Sequence, residues 1–228
     1  MIGKLNIVST PIGNLDDISF RAINVLGESD IIACEDTRVT KKLLNHYKIH
    51  SKLITYNSIN ENRVTGKIIN YLKSGLSVAL VSDAGTPCIS DPGYRLVHMS
   101  HLKNIEVVSV PGSCSLISSL SISGLPTDTF YFQGFLPRKK GRKTKFELLK
   151  NIQSTVVVFE SPKRLKKTLS DIYRYMGNRI ISLCKEITKL HEKVIVDEIV
   201  NIIKKCNNQN SIKGEFVIII AKEGYKIN

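Results

Sequence analysis

SVALVSDAGTPCISDPG, residues 77–93, changes character part-way along. Its start carries Val, Ala, Leu and Val without a polar break, the pattern of a strand buried on both faces. The eleven residues from Asp83 to Gly93 then contain two Gly, two Pro, two Asp, one Thr and one Ser. No helix or strand interior accommodates that mixture. Residues 83–93 therefore read as a loop at the carboxyl end of a buried strand. At its far side Asp91-Pro92-Gly93 reads as a helix start, with Asp91 as cap and Pro92 in the first turn.

The same unit recurs on either side. LNIVS (5–9), DIIAC (30–34), LITY (53–56) and IEVVSV (105–110) read as short apolar strands. Helices are expected over 19–27 with Ser19 as cap, from Asp36 or Thr37 to about Tyr47, over 61–73 ending at Gly75, and near 93–102. Strand–helix alternation with continuous apolar strands predicts a parallel α/β sheet. A helix is expected over 113–123. Beyond Pro126 the texture changes: strands are expected at 129–134, 154–161, 179–186 and 214–221, with helices at 163–176 and within 191–206. PRKKGRKTK (137–145) reads as a basic loop. The fold class is thus α/β with two lobes: a parallel sheet in residues 1–112, and a second, mixed sheet in 113–228. A cleft between two lobes is a common ligand site.

Composition narrows the function. The 228 residues carry a formal charge of +13, which favours a polyanionic partner, RNA or DNA first. The richness in Lys, Ile and Asn also fits compositional drift. The six basic residues of 137–145 stand without an acid among them. No run of about 18 apolar residues suggests a membrane span, and the first residues lack a signal-peptide layout. A cytoplasmic protein is expected. Five scattered cysteines form no CxxC and five histidines no HExxH. Neither a disulfide framework nor a metal site is expected.

Three of the strands end in loops of one kind: STPIGNLDD after 5–9, SDAGTPCISDPG after 77–82, VPGSCS after 105–110. Ligands of open parallel sheets bind beyond the carboxyl ends of the strands. Gly13, Gly85 and Gly112 would let backbone approach a ligand, and Pro11, Pro87 and Pro111 would stiffen the loops. The ligand matches no common fingerprint: GxGxxG, Walker A and GxSxG are all absent. CEDTR (34–38) places Glu35, Asp36 and Arg38 directly after a buried run. They could serve as a helix cap and surface ion pair, or position a hydroxyl for deprotonation. Asn60 and Glu61 could be a cap and first-turn acid. FESPKR (159–164) and KEITKLHEK (185–193) close two further strands.

In order along the chain, TPIGNLDDIS, CEDTR, VSDAGTPCISDPGYRLV, VPGSCS, GLPTDTFYFQGFLPRK, FESPKR, KEITKLHE and KGEFVIII resemble the ribosomal RNA small subunit methyltransferase I family of the tetrapyrrole methylase superfamily. The resemblance spans residues 4 to 221. It implies two α/β lobes binding S-adenosyl-L-methionine between them, a homodimer, and methylation of a cytidine ribose 2′-oxygen in the decoding region of small-subunit (16S) ribosomal RNA. It implies that Pro11, Ile12, Gly13, Asp83, Gly85, Thr86, Pro87, Ile89, Cys114, Ser115, Glu160, Ser161 and Gly214 bind the cofactor. Catalysis would fall to Glu35 or Asp36, accepting or ordering the hydroxyl, with Arg38 holding a phosphate or the carboxylate. Asn60, Glu61, Arg138, Lys139, Lys140, Arg142, Lys143 and Lys145 would face the RNA or the 30S particle.

Two departures stand out. Members of the family often carry His-Asn-Glu where this sequence has Ile59-Asn60-Glu61, which puts in doubt a base at the first position. Many also continue past the last strand with a basic helical tail; if that tail helps hold the ribosomal particle, this sequence, which runs to Asn228, is expected to rely on the 137–145 loop and on its dimer. Two other readings compete: a methylase of a small tetrapyrrole, opposed by the basic loop and EDTR, and a non-catalytic RNA-binding assembly factor, opposed by the cofactor loops.

Overall fold

A computed structural model describes residues 2–208 and 211–227. The chain divides into two compact units, Met1–Cys114 and Ser115–Asn228. In the first, β1 (Leu5–Val8), β2 (Ile31–Cys34), β3 (Lys52–Thr55), β4 (Val78–Val81) and β5 (Val107–Val110) form one sheet in the order β3-β2-β4-β1-β5. Every pairing in it is parallel. The connecting helices are α1 (Phe20–Glu28), α2 (Thr37–His46), α3 (Glu61–Lys73) and α4 (Tyr94–Leu102).

The unbroken apolar pattern of β4 follows from burial on both faces. Val78 and Leu80 join Leu5, Ile31 and Ala33 in a core with Ile68, Leu72 and Leu96 of α3 and α4. Ala79 and Val81 join Val8, Ile32 and Cys34 against Ala22, Leu26 and Leu44 of α1 and α2. Burying one such side chain contributes about 1.5–3 kcal/mol, so neither face can turn polar cheaply. The helix caps are those expected in two places: Ser19 accepts the Ala22 N–H, and Asp36 accepts the Arg38 N–H. At α4 the expectation fails. The N-cap is Gly93, with φ of 142°, and Asp91 does not cap. A Cβ at Gly93 would lie 2.4 Å from the Cys88 Sγ and 2.9 Å from Leu80 Cδ2. That close packing forces the glycine conformation, and the helix begins only after it.

In the second unit α5 (Ser115–Ser121) leads to β6 (Phe130–Phe135), α6 (Arg142–Lys150), β7 (Thr155–Glu160), α7 (Leu165–Met176), β8 (Ile180–Lys185), β9 (Lys193–Glu198), α8 (Ile199–Asn207) and β10 (Phe216–Ile220). The sheet order is β6-β7-β10-β8-β9. β6 pairs parallel to β7 and the remaining pairs are antiparallel, so the sheet is mixed, as expected. Its core runs from Val156, Val158, Leu183 and Ile218 to Phe146, Leu169 and Ile202 of α6, α7 and α8.

The basic segment corrects the sequence reading. Residues 142–150 form α6 rather than a continued loop, and Arg142 is buried at 7% exposure. Its guanidinium donates to Asp171 Oδ2 (2.8 Å), Thr168 Oγ1 (2.8 Å) and the Pro137 carbonyl (3.0 Å). A side chain held so completely is not a solvent-facing phosphate contact. Arg138, Lys139, Lys140 and Lys143 are exposed and Lys145 half-buried.

Candidate active site

Because β4, β1 and β5 are neighbours, their carboxyl-end loops emerge side by side. They are cross-bonded. Thr10 and Gly85 exchange two backbone hydrogen bonds, at 2.9 and 3.0 Å. The Ser9 and Thr86 hydroxyls lie 3.0 Å apart, Thr86 also donates to the Ser113 carbonyl at 3.1 Å, and Ser113 donates to the Asp17 carbonyl at 3.2 Å. Ile12 and Pro87 are buried beneath this rim. Pro11, Thr86, Cys114 and Ser115 are half-buried, Gly85 is buried, and Gly13, Asp83 and Ile89 are exposed. Beyond Pro87 the loop takes left-handed backbone at Cys88 (φ 71°) and Ser90 (φ 66°). Such conformations cost non-glycine residues about 1–3 kcal/mol each and persist where the surroundings impose them, as at functional sites. The Cys88 thiol is pushed up to about 11, by burial first and then by Asp91.

β2 ends beside the β4 loop. The Asp36 N–H donates to Asp83 Oδ1 at 2.9 Å, tying the two strand ends together. The Asp36 side chain is fully committed to local bonds: it caps α2 and takes the Arg38 guanidinium through both oxygens, at 2.6–3.2 Å. Those hydrogen bonds hold its carboxyl down at about 2. So strong an anion is a weak proton acceptor. Glu35 differs. Its carboxylate makes no hydrogen bond to another described residue, and it is raised above the ordinary range, by burial first and then by Asp83, Asp91 and Asp36. The surface ion pair within CEDTR is Asp36–Arg38, with Asp36 also the helix cap and Glu35 in neither role.

Glu35 opens into a cleft of about 370 Å³ lined by Ser58, Glu61, Ser90, Asp91, Pro92, Gly93, Tyr94 and Arg95. Asp91, freed from capping, is itself raised, by burial above all, against a lowering bond from Ser82. Asn60 is taken up by its turn: Oδ1 accepts the Asn57 N–H and Nδ2 donates to the Thr55 carbonyl. Glu61 points toward Arg95, 3.8 Å away. Sequence reasoning assigned no role to Tyr94 or Arg95. Their signal was position alone, directly after SDPG.

In the second unit Glu160 is buried and satisfied from its own side of the sheet. Oε1 accepts the Ser161 N–H (2.7 Å) and Arg164 (2.7 Å), and Oε2 accepts Thr168 (2.6 Å). Thr168 in turn accepts Arg142, which makes one chain of charge-assisted bonds from Asp171 to Arg164. Ser161 is half-buried. Gly214, with φ of 104°, stands where a Cβ would lie 2.7 Å from Glu186 Cγ. Glu186 uses that space to accept the Glu215 N–H and the Lys189 ammonium. Among the described residues no group of three or more His, Cys, Asp or Glu could hold a metal, and no helix is long and apolar enough to cross a membrane.

Comparison with known proteins bears on this arrangement. Residues 4–202 match the family of tetrapyrrole (corrin/porphyrin) methylases. A ribosomal RNA small subunit methyltransferase I of Halalkalibacterium halodurans is 46% identical over 99% of this chain and 78% of its own. The chain belongs to the ribosomal RNA small subunit methyltransferase I family. A member from Thermotoga maritima is 43% identical, over 96% of this chain and 99% of its own. Among solved structures, diphthine synthase aligns over 98% of this chain and 92% of its own with a TM-score of 0.77 at 14% identity. A uroporphyrin-III C-methyltransferase from Thermus thermophilus, complexed with S-adenosylhomocysteine, aligns over 97% and 98% with a TM-score of 0.66 at 16% identity. At such identities the structural likeness speaks for the tetrapyrrole methylase fold. Membership of the methyltransferase I family rests on the closer sequence relatives, and the cross-bonded rim, the Glu35 cleft and the Asp36–Arg38 clamp are this family member's own geometry.

Proposed function

We propose that the protein is an S-adenosyl-L-methionine-dependent methyltransferase acting on the ribose 2′-oxygen of a cytidine in the decoding region of small-subunit ribosomal RNA. The relatives above carry the rRNA methyltransferase reading. The observation that carries the mechanism is the Glu35 carboxylate, raised and without a hydrogen-bond partner among the described residues, in a cleft beside the loop rim. We place the reaction in the cytoplasm, on the RNA or the 30S particle, with the enzyme as a homodimer; sedimentation of the purified protein tests the last point.

The rim suits the methyl donor. Asp83 is an exposed carboxylate whose Oδ2 makes no hydrogen bond among the described residues, and so can receive an ammonium. Ile12 and Pro87 supply an apolar floor, and Gly13 and Gly112 leave backbone uncovered. When bound there, the cofactor supplies an electrophilic methyl on a sulfonium. The chain's own task is alignment, which can lower a barrier by roughly 7–11 kcal/mol when the reacting atoms are held in line. The cross-bonds Thr10–Gly85, Ser9–Thr86 and Thr86–Ser113 keep the three loops from rearranging. Glu35 accepts the ribose hydroxyl proton as the oxygen–carbon bond forms and the carbon–sulfur bond breaks. Asp36 stays ionised and holds Arg38, whose guanidinium is directed outward toward an RNA phosphate. Ribose-methylation mapping of small-subunit RNA from cells with and without the gene tests this. A single cytidine losing its mark on deletion is expected; an unchanged map rejects the proposal.

A further inference from the structure

We propose that the cleft holding Glu35 is a pocket for the target nucleobase, in which Tyr94 stacks on the base and Glu61 and Arg95 read the hydrogen-bonding edge of cytosine. The inference rests on the cytidine 2′-oxygen reading above and names the residues that would choose the base.

Tyr94 is 74% exposed although it lines a cleft, an unusual use of an aromatic side chain. Its ring is held in place by a near-parallel stack on His98, one turn along α4, with centroids 5.9 Å apart and planes at 14°. A fixed aromatic face open to solvent is a platform for an unstacked base. Glu61 and Arg95 sit in the same cleft from α3 and α4. Their 3.8 Å separation is too long for a direct hydrogen bond, and neither side chain makes another among the described residues. A carboxylate acceptor and a forked guanidinium donor are therefore both available to a ligand.

Cytosine offers a matching edge: an amino donor beside two acceptors, the ring nitrogen and the carbonyl. The carboxylate takes the amino group and the guanidinium takes the two acceptors. Uracil would set a carbonyl oxygen against Glu61, leaving a desolvated acceptor facing an anion. Sites that bond a specific polar edge reject an analogue lacking it far more strongly than apolar pockets do. With Glu35 in the same cleft, a base held this way brings its own ribose to the proton acceptor.

Two measurements on the full chain test this. The first is a titration of the isotope-labelled protein with cytidine 5′-monophosphate or uridine 5′-monophosphate, followed by amide NMR shifts. The cytidine nucleotide is expected to move Ser90, Arg95 and Glu61, and the uridine nucleotide to leave them nearly unmoved. The second is methyl transfer to unmodified small-subunit particles. Tyr94→Ala is expected to lower kcat/KM about tenfold or more, and Tyr94→Phe to keep it. Glu61→Gln should narrow the gap between the two nucleotides. Equal responses to both nucleotides, or wild-type kcat/KM in Tyr94→Ala, overturns the pocket while leaving the methylation reading intact. Selective cytidine binding by a protein that methylates no small-subunit RNA sustains the pocket and rejects that reading instead.

Discussion

Neighbouring carboxylates in CEDTR are driven apart by their surroundings. Asp36 is saturated with donors; Glu35 is partly desolvated and faces other acids. Environments that push titratable pairs in opposite directions mark acid–base assignments. Methyl transfer should therefore rise with pH through the raised Glu35 pKa and level off above it, since only the ionised carboxylate accepts a proton. Glu35→Gln should lower kcat by about 10²–10⁴-fold with cofactor binding unchanged, removing that rising limb. Asp36→Asn, which keeps a cap, should stay within a few-fold of the wild type. Asp36 acts on stability with the opposite sign. Its depressed pKa contributes stability above the ordinary carboxylate pKa, lost as pH falls toward about 2. Salt should weaken that contribution, since the Arg38 side of the pair is exposed.

At the scale of elements, the turn into α4 and the start of α6 carry the sharpest expectations. Gly93→Ala needs a positive φ from alanine and a Cβ inside contact distance of Cys88 and Leu80. It should cost roughly 1–3 kcal/mol, read as a lowered urea midpoint, and should deform the cleft that Gly93 lines. The basic segment divides into two kinds of cation. Replacing Arg138, Lys139 and Lys140 together should leave stability unchanged and reduce the salt dependence of RNA binding by a slope of ~0.7 per lost contact. Arg142→Ala should instead destabilise the second unit by about 1–3 kcal/mol, because half-buried Asp171, Thr168 and the Pro137 carbonyl all lose the buried guanidinium that donates to them. The sequence alone does not separate these cations. PRKKGRKTK has no apolar periodicity until Phe146, and the acid that claims Arg142 lies 29 residues on, in α7.

Across the whole molecule, what could be read in advance was whatever a local pattern dictates. β4, β8 and β10 declare themselves as apolar runs, and Ser19 and Asp36 declare helix starts, because the deciding contacts lie within a turn or two. The mixed sheet of the second unit was legible as a change in texture. What stayed hidden was set by distant partners: the Gly93 cap decided by Leu80 and Cys88, the saturation of Glu160 by α7, and the pairing of Glu61 with Arg95. The proposed cofactor gives a prediction at this scale. At a hundred times its dissociation constant, S-adenosyl-L-methionine should stabilise the protein by about 2.7 kcal/mol. Absence of any rise in Tm would count against the rim as its binding place.

The strained loop also sorts the cysteines by reactivity. Cys34, Cys184 and Cys206 are buried, and the Cys88 thiol, held near 11, stays protonated at neutral pH and is a poor nucleophile. Cys114, half-open as Cys88 is, stands on the rim itself. A maleimide fluorophore should thus attach first at Cys114 without any engineering, which peptide mapping of the labelled protein checks. Its emission would then report, in real time, the arrival of a molecule at the loops.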